Sequence, residues 1–323
     1  METKSNPRCK PSAARAQFPF ELPPLRRIIR PVHFPKVTLV GVGLLGGSLG
    51  LALKQRQLAG HVEGYVRRTT SIGECEELGV VDRATTDLLT AVRDADLVVF
   101  CTPLAQMRAL AEQCAPALKP GALVTDVGSV KGPVVAELEP IFSKVGAQFI
   151  GSHPMAGGEK TGPAAARADL FEQTVCIVTP GPKTPATLAK QMENFWAALG
   201  GRPLRLTPDQ HDSLVARSSH LPHVVAAELA NYVLSPAHPK EQPALCATGF
   251  RDTTRVAAGS PEMWRDIALA NRKHLARALG VFIEDLQEFQ RALEAGDTKA
   301  IDEFFETAKN RRDQWVGKSG AVE

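Results

Sequence analysis

Six residues, Gly41-Val42-Gly43-Leu44-Leu45-Gly46, constrain this chain more than any other stretch. They close a short apolar run at 37–42 and open a segment of helical pattern. In that setting each glycine has a separate job. Gly41 permits the tight turn and Gly43 lets a pyrophosphate approach the backbone. Gly46 lets helix and strand pack closely, with the helix N-terminus facing the anion. Further continuous apolar runs lie at 61–66, 96–101, 122–127, 148–151 and 174–178, spaced by helical stretches. Strands that are apolar throughout, rather than alternating, belong to a parallel sheet covered on both faces. The expected fold is an α/β, Rossmann-like doubly wound sheet followed by an all-α domain.

The strands are expected to stop at Thr179-Pro180-Gly181-Pro182, with helices from about Ala186 onward. Ser260-Pro261-Glu262 has the chemistry of a helix start: a capping hydroxyl, a first-turn proline and an early acid. Leu275, Leu279, Phe282, Leu286, Phe289 and Leu293 then recur at steps of four and three, close to a heptad seam. So long an apolar stripe favours pairing with a second copy of the chain over core packing alone. The expected divisions are a basic arm at 1–36, a dinucleotide-binding domain at 37–182, a helical substrate and dimerisation domain at 183–316, and a tail at 317–323.

Composition serves mainly to exclude. A net charge of +3 over 323 residues is too mild to imply a nucleic-acid partner or an acidic membrane surface. No apolar run approaches the roughly 18 residues of a membrane span. The six cysteines form no Cys-x-x-Cys pair, and several sit in apolar runs, so buried free thiols in a reducing cytoplasm are expected. An Arg-rich, acid-poor arm also fits an organelle transit segment, the alternative reading of residues 1–36.

The end of the second strand bears on the choice of dinucleotide. Where an NAD site usually places an acid, this chain has Val66, followed by Arg67, Arg68 and Thr69. No carboxylate repels a 2′-phosphate there and two guanidiniums are available to bind one, so NADP is favoured over NAD. Gly151-Ser152-His153-Pro154-Met155-Ala156-Gly157-Gly158-Glu159 follows a strand and emerges at the carboxyl edge, where this fold binds ligands. His153 there is a candidate catalytic base. Ser129, in Asp126-Val127-Gly128-Ser129-Val130-Lys131, emerges on the same edge, with a helix cap as its plainer role. In Ser219-His220-Leu221-Pro222-His223 a proline separates the two histidines and no third ligand stands at metal spacing, so no metal is expected. In Phe250-Arg251-Asp252-Thr253-Thr254-Arg255, an arginine not paired to Asp252 could bind a carboxylate bidentately.

Together these segments, with Cys101-Thr102-Pro103, resemble the prephenate/arogenate dehydrogenase family of tyrosine biosynthesis, in collinear order from about residue 37 to 310. The resemblance implies a Rossmann-like domain, a helical dimerisation domain and a homodimer. It implies oxidative decarboxylation: a hydride leaves the ring carbon bearing the 4-hydroxyl for nicotinamide, and the ring carboxylate leaves as CO2. Carried over by motif, His153 accepts the hydrogen bond of the 4-hydroxyl and Ser129 holds the same group. Arg255 anchors a substrate carboxylate, and His223 and Ser219 lie with the substrate. Glu159 gates or polarises the pocket, and Trp264 reaches the neighbouring subunit's site. The cofactor contacts fall on Gly41, Gly43, Leu44, Leu45, Gly46, Arg67, Arg68, Thr69, Cys101, Thr102 and Pro103. NAD-using members commonly carry an acid where Val66 stands, and the length leaves no room for a fused mutase or ACT domain. Two competing readings are another two-domain NAD(P) dehydrogenase, which would centre its site on a lysine, and a non-catalytic nucleotide sensor. The latter need not keep His153, Ser129 and Arg255 together.

Overall fold

The computed structural model describes residues 32–158 and 160–319. Its first strand, β1 (Phe34–Val40), lies at the centre of a six-stranded parallel sheet of order β3-β2-β1-β4-β5-β6. The other strands are β2 (Ala59–Tyr65), β3 (Arg83–Thr85), β4 (Leu97–Phe100), β5 (Leu123–Asp126) and β6 (Gln148–Phe149). Phe34 to Lys36, expected in the arm, begin β1 instead. Phe34 is buried and meets Phe195 edge-to-face at 6.0 Å. Residues 1–31 of the expected arm lie outside the described residues.

The strand order reverses between β1 and β4, which opens a crevice at their carboxyl ends. Helix α1 (Leu44–Gln55) starts there, with Gly43 as its N-cap and no side chain capping it. Helices α2 (Thr70–Glu77), α3 (Leu88–Val92), α4 (Leu104–Cys114) and α5 (Gly132–Ser143) return the chain between successive strands. Both faces of the sheet are covered, as strands buried on both sides require. One core joins Val37 and Leu39 to Leu49, Phe171 and Trp196, and the other joins Val40 and Phe100 to Met107 and Phe142. The described cysteines are all free. Burial pushes the thiols of Cys114 and Cys176 up to about 12, so they remain protonated.

Beyond Ile150 the chain departs from the expected single parallel sheet. β7 (Gly151–Pro154) runs antiparallel to β8 (Val175–Thr179), and β8 pairs in parallel with β9 (Arg202–Arg205) in a second, three-stranded sheet. A run that is buried on both faces says nothing about strand direction, which is why the apolar pattern misled. The strands also do not stop at Thr179. β9 reads Arg-Pro-Leu-Arg, and its proline is tolerated because β9 is an edge strand. Helix α6 (Ala186–Ala198) buries Leu188, Met192, Phe195 and Trp196 in the core of the parallel-sheet half.

The helices that follow begin at α7 (Pro208–Val215), whose Thr207 and Gln210 form a reciprocal capping box. A π-helical turn over Ala216–His220 leads directly into α8 (Leu221–Val233). Next come α9 (Thr248–Thr254), α10 (Pro261–Ala270), α11 (Arg272–Ala295) and α12 (Thr298–Ser319). Ser260 caps α10 by accepting the Met263 N–H at 3.4 Å. On α11, Leu275 is buried and Phe289 packs on Phe304 and Phe305 of α12. Val281, Ile283, Leu286 and Leu293 stay exposed in the single chain. Residues 317–319 of the expected tail are helical.

The glycine turn yields a paired prediction. A Cβ on Gly46 would overlap the Gly41 carbonyl oxygen, whereas one on Gly43 would meet nothing within 4 Å. Gly46→Ala is expected to lower stability by about 1–3 kcal/mol through overpacking. Gly43→Ala is expected to leave the unfolding midpoint unchanged and to weaken nucleotide binding. Thermal denaturation with and without dinucleotide measures both.

Candidate active site

The two halves of the molecule meet around one carboxylate. Asp212, on α7, accepts the backbone N–H groups of Lys131 and Gly132, each at 2.7 Å. Those groups belong to the first turn of α5, where unpaired donors and the helix dipole favour an anion. Ser129 therefore does not cap α5; that part is played by a side chain from the helical half. The Ser129 hydroxyl makes no hydrogen bond among the described residues.

His211 lies between Asp212 and His153. Its Nδ1 is 2.7 Å from Asp212 Oδ1, and its Nε2 is 2.8 Å from His153 Nδ1. All three residues are buried. Burial holds His153 well below the ordinary imidazole value, and the nearby His211, Lys131 and His220 push the same way. Burial also lowers His211, against the opposing pull of Asp212. Desolvation would raise the Asp212 carboxyl, but hydrogen bonds from His211, Lys131 and Gly132 outweigh it and hold it below the usual range. The result is an ionised Asp212 beside two neutral imidazoles.

Beneath His153 lies a second buried pair. The Lys131 ammonium bonds to the Asp126 carboxylate and donates to the Ser152 carbonyl at 2.9 Å. Asp126 also accepts the Ser152 N–H at 3.2 Å and the Gly128 N–H at 2.8 Å. These bonds tie the end of β5 to β7 and fix the loop carrying Ser129 against the strand carrying His153. Breaking such a buried pair from one side typically costs roughly 3–5 kcal/mol.

The helical half supplies the opposite wall. The Asn271 amide donates to the Asp212 carbonyl at 2.9 Å and lies 3.1 Å from His220 Nδ1. His220 Nε2 is buried and has no hydrogen-bond partner among the described residues, although the Ser129 backbone lies nearby. His223 donates from Nδ1 to the Ser219 carbonyl at 2.9 Å, which leaves its Nε2 outward as an acceptor. Trp264 stacks on His223 of its own chain, with ring centroids 3.7 Å apart. Arg255 follows α9 and is exposed; its charge adds to the burial that lowers His223. His153, Ser129, His223, Ser219, Trp264 and Arg255 thus fall around one continuous cluster. Glu159 lies outside the described residues. Among the described residues no group of three or more His, Cys, Asp or Glu could hold a metal ion.

The glycine loop is adjacent. A Cβ on Gly158, beyond His153, would come within 3.3 Å of Leu44. Gly41 has φ +99° and sits against Thr102 and the Cys101 carbonyl, leaving no room for a side chain. Gly43 faces open space, α1 lacks a side-chain cap, and the buried Thr102 hydroxyl has no partner among the described residues. Free N–H donors, an open cradle and an orphaned hydroxyl fit a bound dinucleotide. Leu44 and Leu45 open α1, and Pro103 precedes α4. Arg67, Arg68 and Thr69 are exposed just past β2, and Val66 is buried.

Sequence reasoning missed His211, Asp212 and Asn271. Only the acid beside a histidine on a capped helix hinted at them, and such pairs are commonplace on surfaces.

Comparison with known proteins agrees with this arrangement. Residues 49–204 match the family described as prephenate dehydrogenase, nucleotide-binding domain, and residues 207–310 match its dimerization domain. The chain belongs to the prephenate dehydrogenase family. It is 34% identical to a Bacillus subtilis prephenate dehydrogenase over 86% of this chain and 75% of that one. It is 35% identical to a Zymomonas mobilis cyclohexadienyl dehydrogenase over 86% and 95%. Among solved structures, an Aquifex aeolicus prephenate dehydrogenase in complex with hydroxyphenyl propionate and NAD+ superimposes with TM-score 0.81. That pair shares 32% identity and covers 86% of this chain and 97% of that one. The two family matches adjoin between residues 204 and 207, at the end of β9. Among the described residues no helix is long and apolar enough to cross a membrane.

The buried histidines predict acid lability. Burial lowers His220 from 6.5 to about 4. The unfolded chain therefore takes up a proton near pH 6.5 that the folded chain refuses, and stability falls as pH drops from 6.5 toward 4. His220 alone is expected to cost about 2 kcal/mol at pH 5. Urea midpoints at pH 7.5 and pH 5, at one protein concentration, test this. Equal midpoints would contradict it.

Proposed function

We propose that this chain is a homodimeric dehydrogenase that oxidatively decarboxylates prephenate or arogenate, giving 4-hydroxyphenylpyruvate or tyrosine, with NADP preferred over NAD. The observation that carries this reading is a buried histidine, His153, held neutral where the chain leaves the carboxyl edge of the parallel sheet, on a strand tied through Lys131 and Asp126 to the loop bearing Ser129. A neutral imidazole accepts the proton of the ring 4-hydroxyl as that carbon gains carbonyl character. Ser129 holds the same hydroxyl. Arg255, beside His223 and Trp264, anchors a carboxylate at the other end by a charge-assisted pair. Glu159 and Ser219 complete the substrate wall. The names of the relatives support the substrate class.

Gly41, Gly43, Leu44, Leu45, Gly46, Cys101, Thr102 and Pro103 would hold the dinucleotide, which supplies a hydride acceptor. Arg67, Arg68 and Thr69 would take the 2′-phosphate, where an acid would have repelled it. The exposed apolar positions of α11 support pairing of two copies through the helical half.

The test is absorbance of reduced nicotinamide with NADP+ and NAD+, each against prephenate and arogenate. NADPH formation with either substrate is expected. NADH alone would overturn the cofactor preference, and no reaction in any of the four from folded protein would overturn the function. His153→Asn is expected to lower kcat by about 10²-fold or more, the usual worth of general-base help.

A further inference from the structure

The hydrogen bonds around Asp212 determine where the protons of two buried imidazoles lie. Asp212 already accepts two backbone N–H groups, one on each carboxylate oxygen. An ionised carboxylate only accepts, so His211 Nδ1, 2.7 Å away, must carry the proton. His211 is neutral in its buried place, so its Nε2 bears a lone pair. His153 Nδ1 lies 2.8 Å from that lone pair and must itself be the donor. A neutral His153 protonated on Nδ1 has its lone pair on Nε2.

We propose that His211 and Asp212 are positioning residues that lock His153 as the Nδ1–H tautomer, so that its Nε2 lone pair faces the substrate hydroxyl. This rests on the role given to His153 under Proposed function. The chain is rigid from its far end. Asp212 is pinned to the first turn of α5 through its carboxylate and to Asn271 through its carbonyl. Its action resembles the orienting acid of a catalytic triad, with a second imidazole interposed. When the hydroxyl proton moves to His153 Nε2, the O–H bond breaks, an N–H bond forms, and the oxygen keeps the electron pair. His153 Nδ1–H continues to donate to His211, and the Asp212 charge stabilises the cation one ring away.

The test uses full-length protein labelled with 15N-histidine, with the His153 signals assigned by their loss in His153→Asn. Wild type is expected to show His153 and His211 both protonated at Nδ1 and bare at Nε2. In His211→Leu, His153 is expected to gain the Nε2–H form. Its kcat is expected to fall about 10²-fold, with substrate KM within about twofold of wild type. His211→Gln, whose Oε1 can accept from His153 Nδ1–H, is expected to recover most of that loss. If His211→Leu does not fold, the wild-type spectrum and the Gln variant carry the test. A wild-type His153 protonated at Nε2 would overturn the proposal. So would full turnover in His211→Leu, or a Gln variant no better than the Leu variant. Retained turnover in His153→Asn would instead overturn the role given to His153 under Proposed function, leaving the tautomer assignment standing.

Discussion

Asp212 joins structure to chemistry in this chain. Its carboxylate leaves the helical half, seals the start of α5 in the sheet half, and fixes His211 against His153. A capping side chain is ordinarily worth about 1 kcal/mol and is supplied by the residue just before its own helix. Here the cap comes from another part of the chain, so the bond that completes a helix also sets the position of one half on the other. Because α5 follows the loop bearing Ser129, that cap and the buried Lys131–Asp126 pair together hold the serine loop against the strand bearing His153.

The polar atoms around His153 are buried, and the arrangement is stable only because nearly every one is paired. Lys131 with Asp126, and Asp212 with three donors, each place a full charge out of water, which a protein interior tolerates only when the hydrogen bonds are complete. Among the exceptions, the Thr102 hydroxyl lies beside the glycine loop and His220 Nε2 faces the Ser129 backbone. Unpaired buried groups of this kind are where a ligand can bind without displacing an existing bond.

Much of this was legible in the sequence, and the rest fails for identifiable reasons. The glycine turn, the sheet edge and the segments bearing Ser129 and His153 leave local signals, because tight turns and strand ends restrict residue choice. The second sheet does not. β7 and β8 read like any buried strand whichever way they run, and β9 hides behind its proline. Asp212 and His211 look like the polar face of a short amphipathic helix, and only the packing of α7 on α5 makes them interior. The apolar stripe of α11 was readable as a seam, and in the single chain it is only partly covered by α12.

The central claim is that Asp212 acts on turnover through His153 rather than beside it. A double-mutant cycle on kcat, with Asp212→Asn, His153→Asn and both together, tests it directly. Residues acting as one unit lose little more together than the worse of them alone. The double variant is expected to turn over about as slowly as His153→Asn. Losses that multiply would mean that Asp212 serves the fold and His153 works without it.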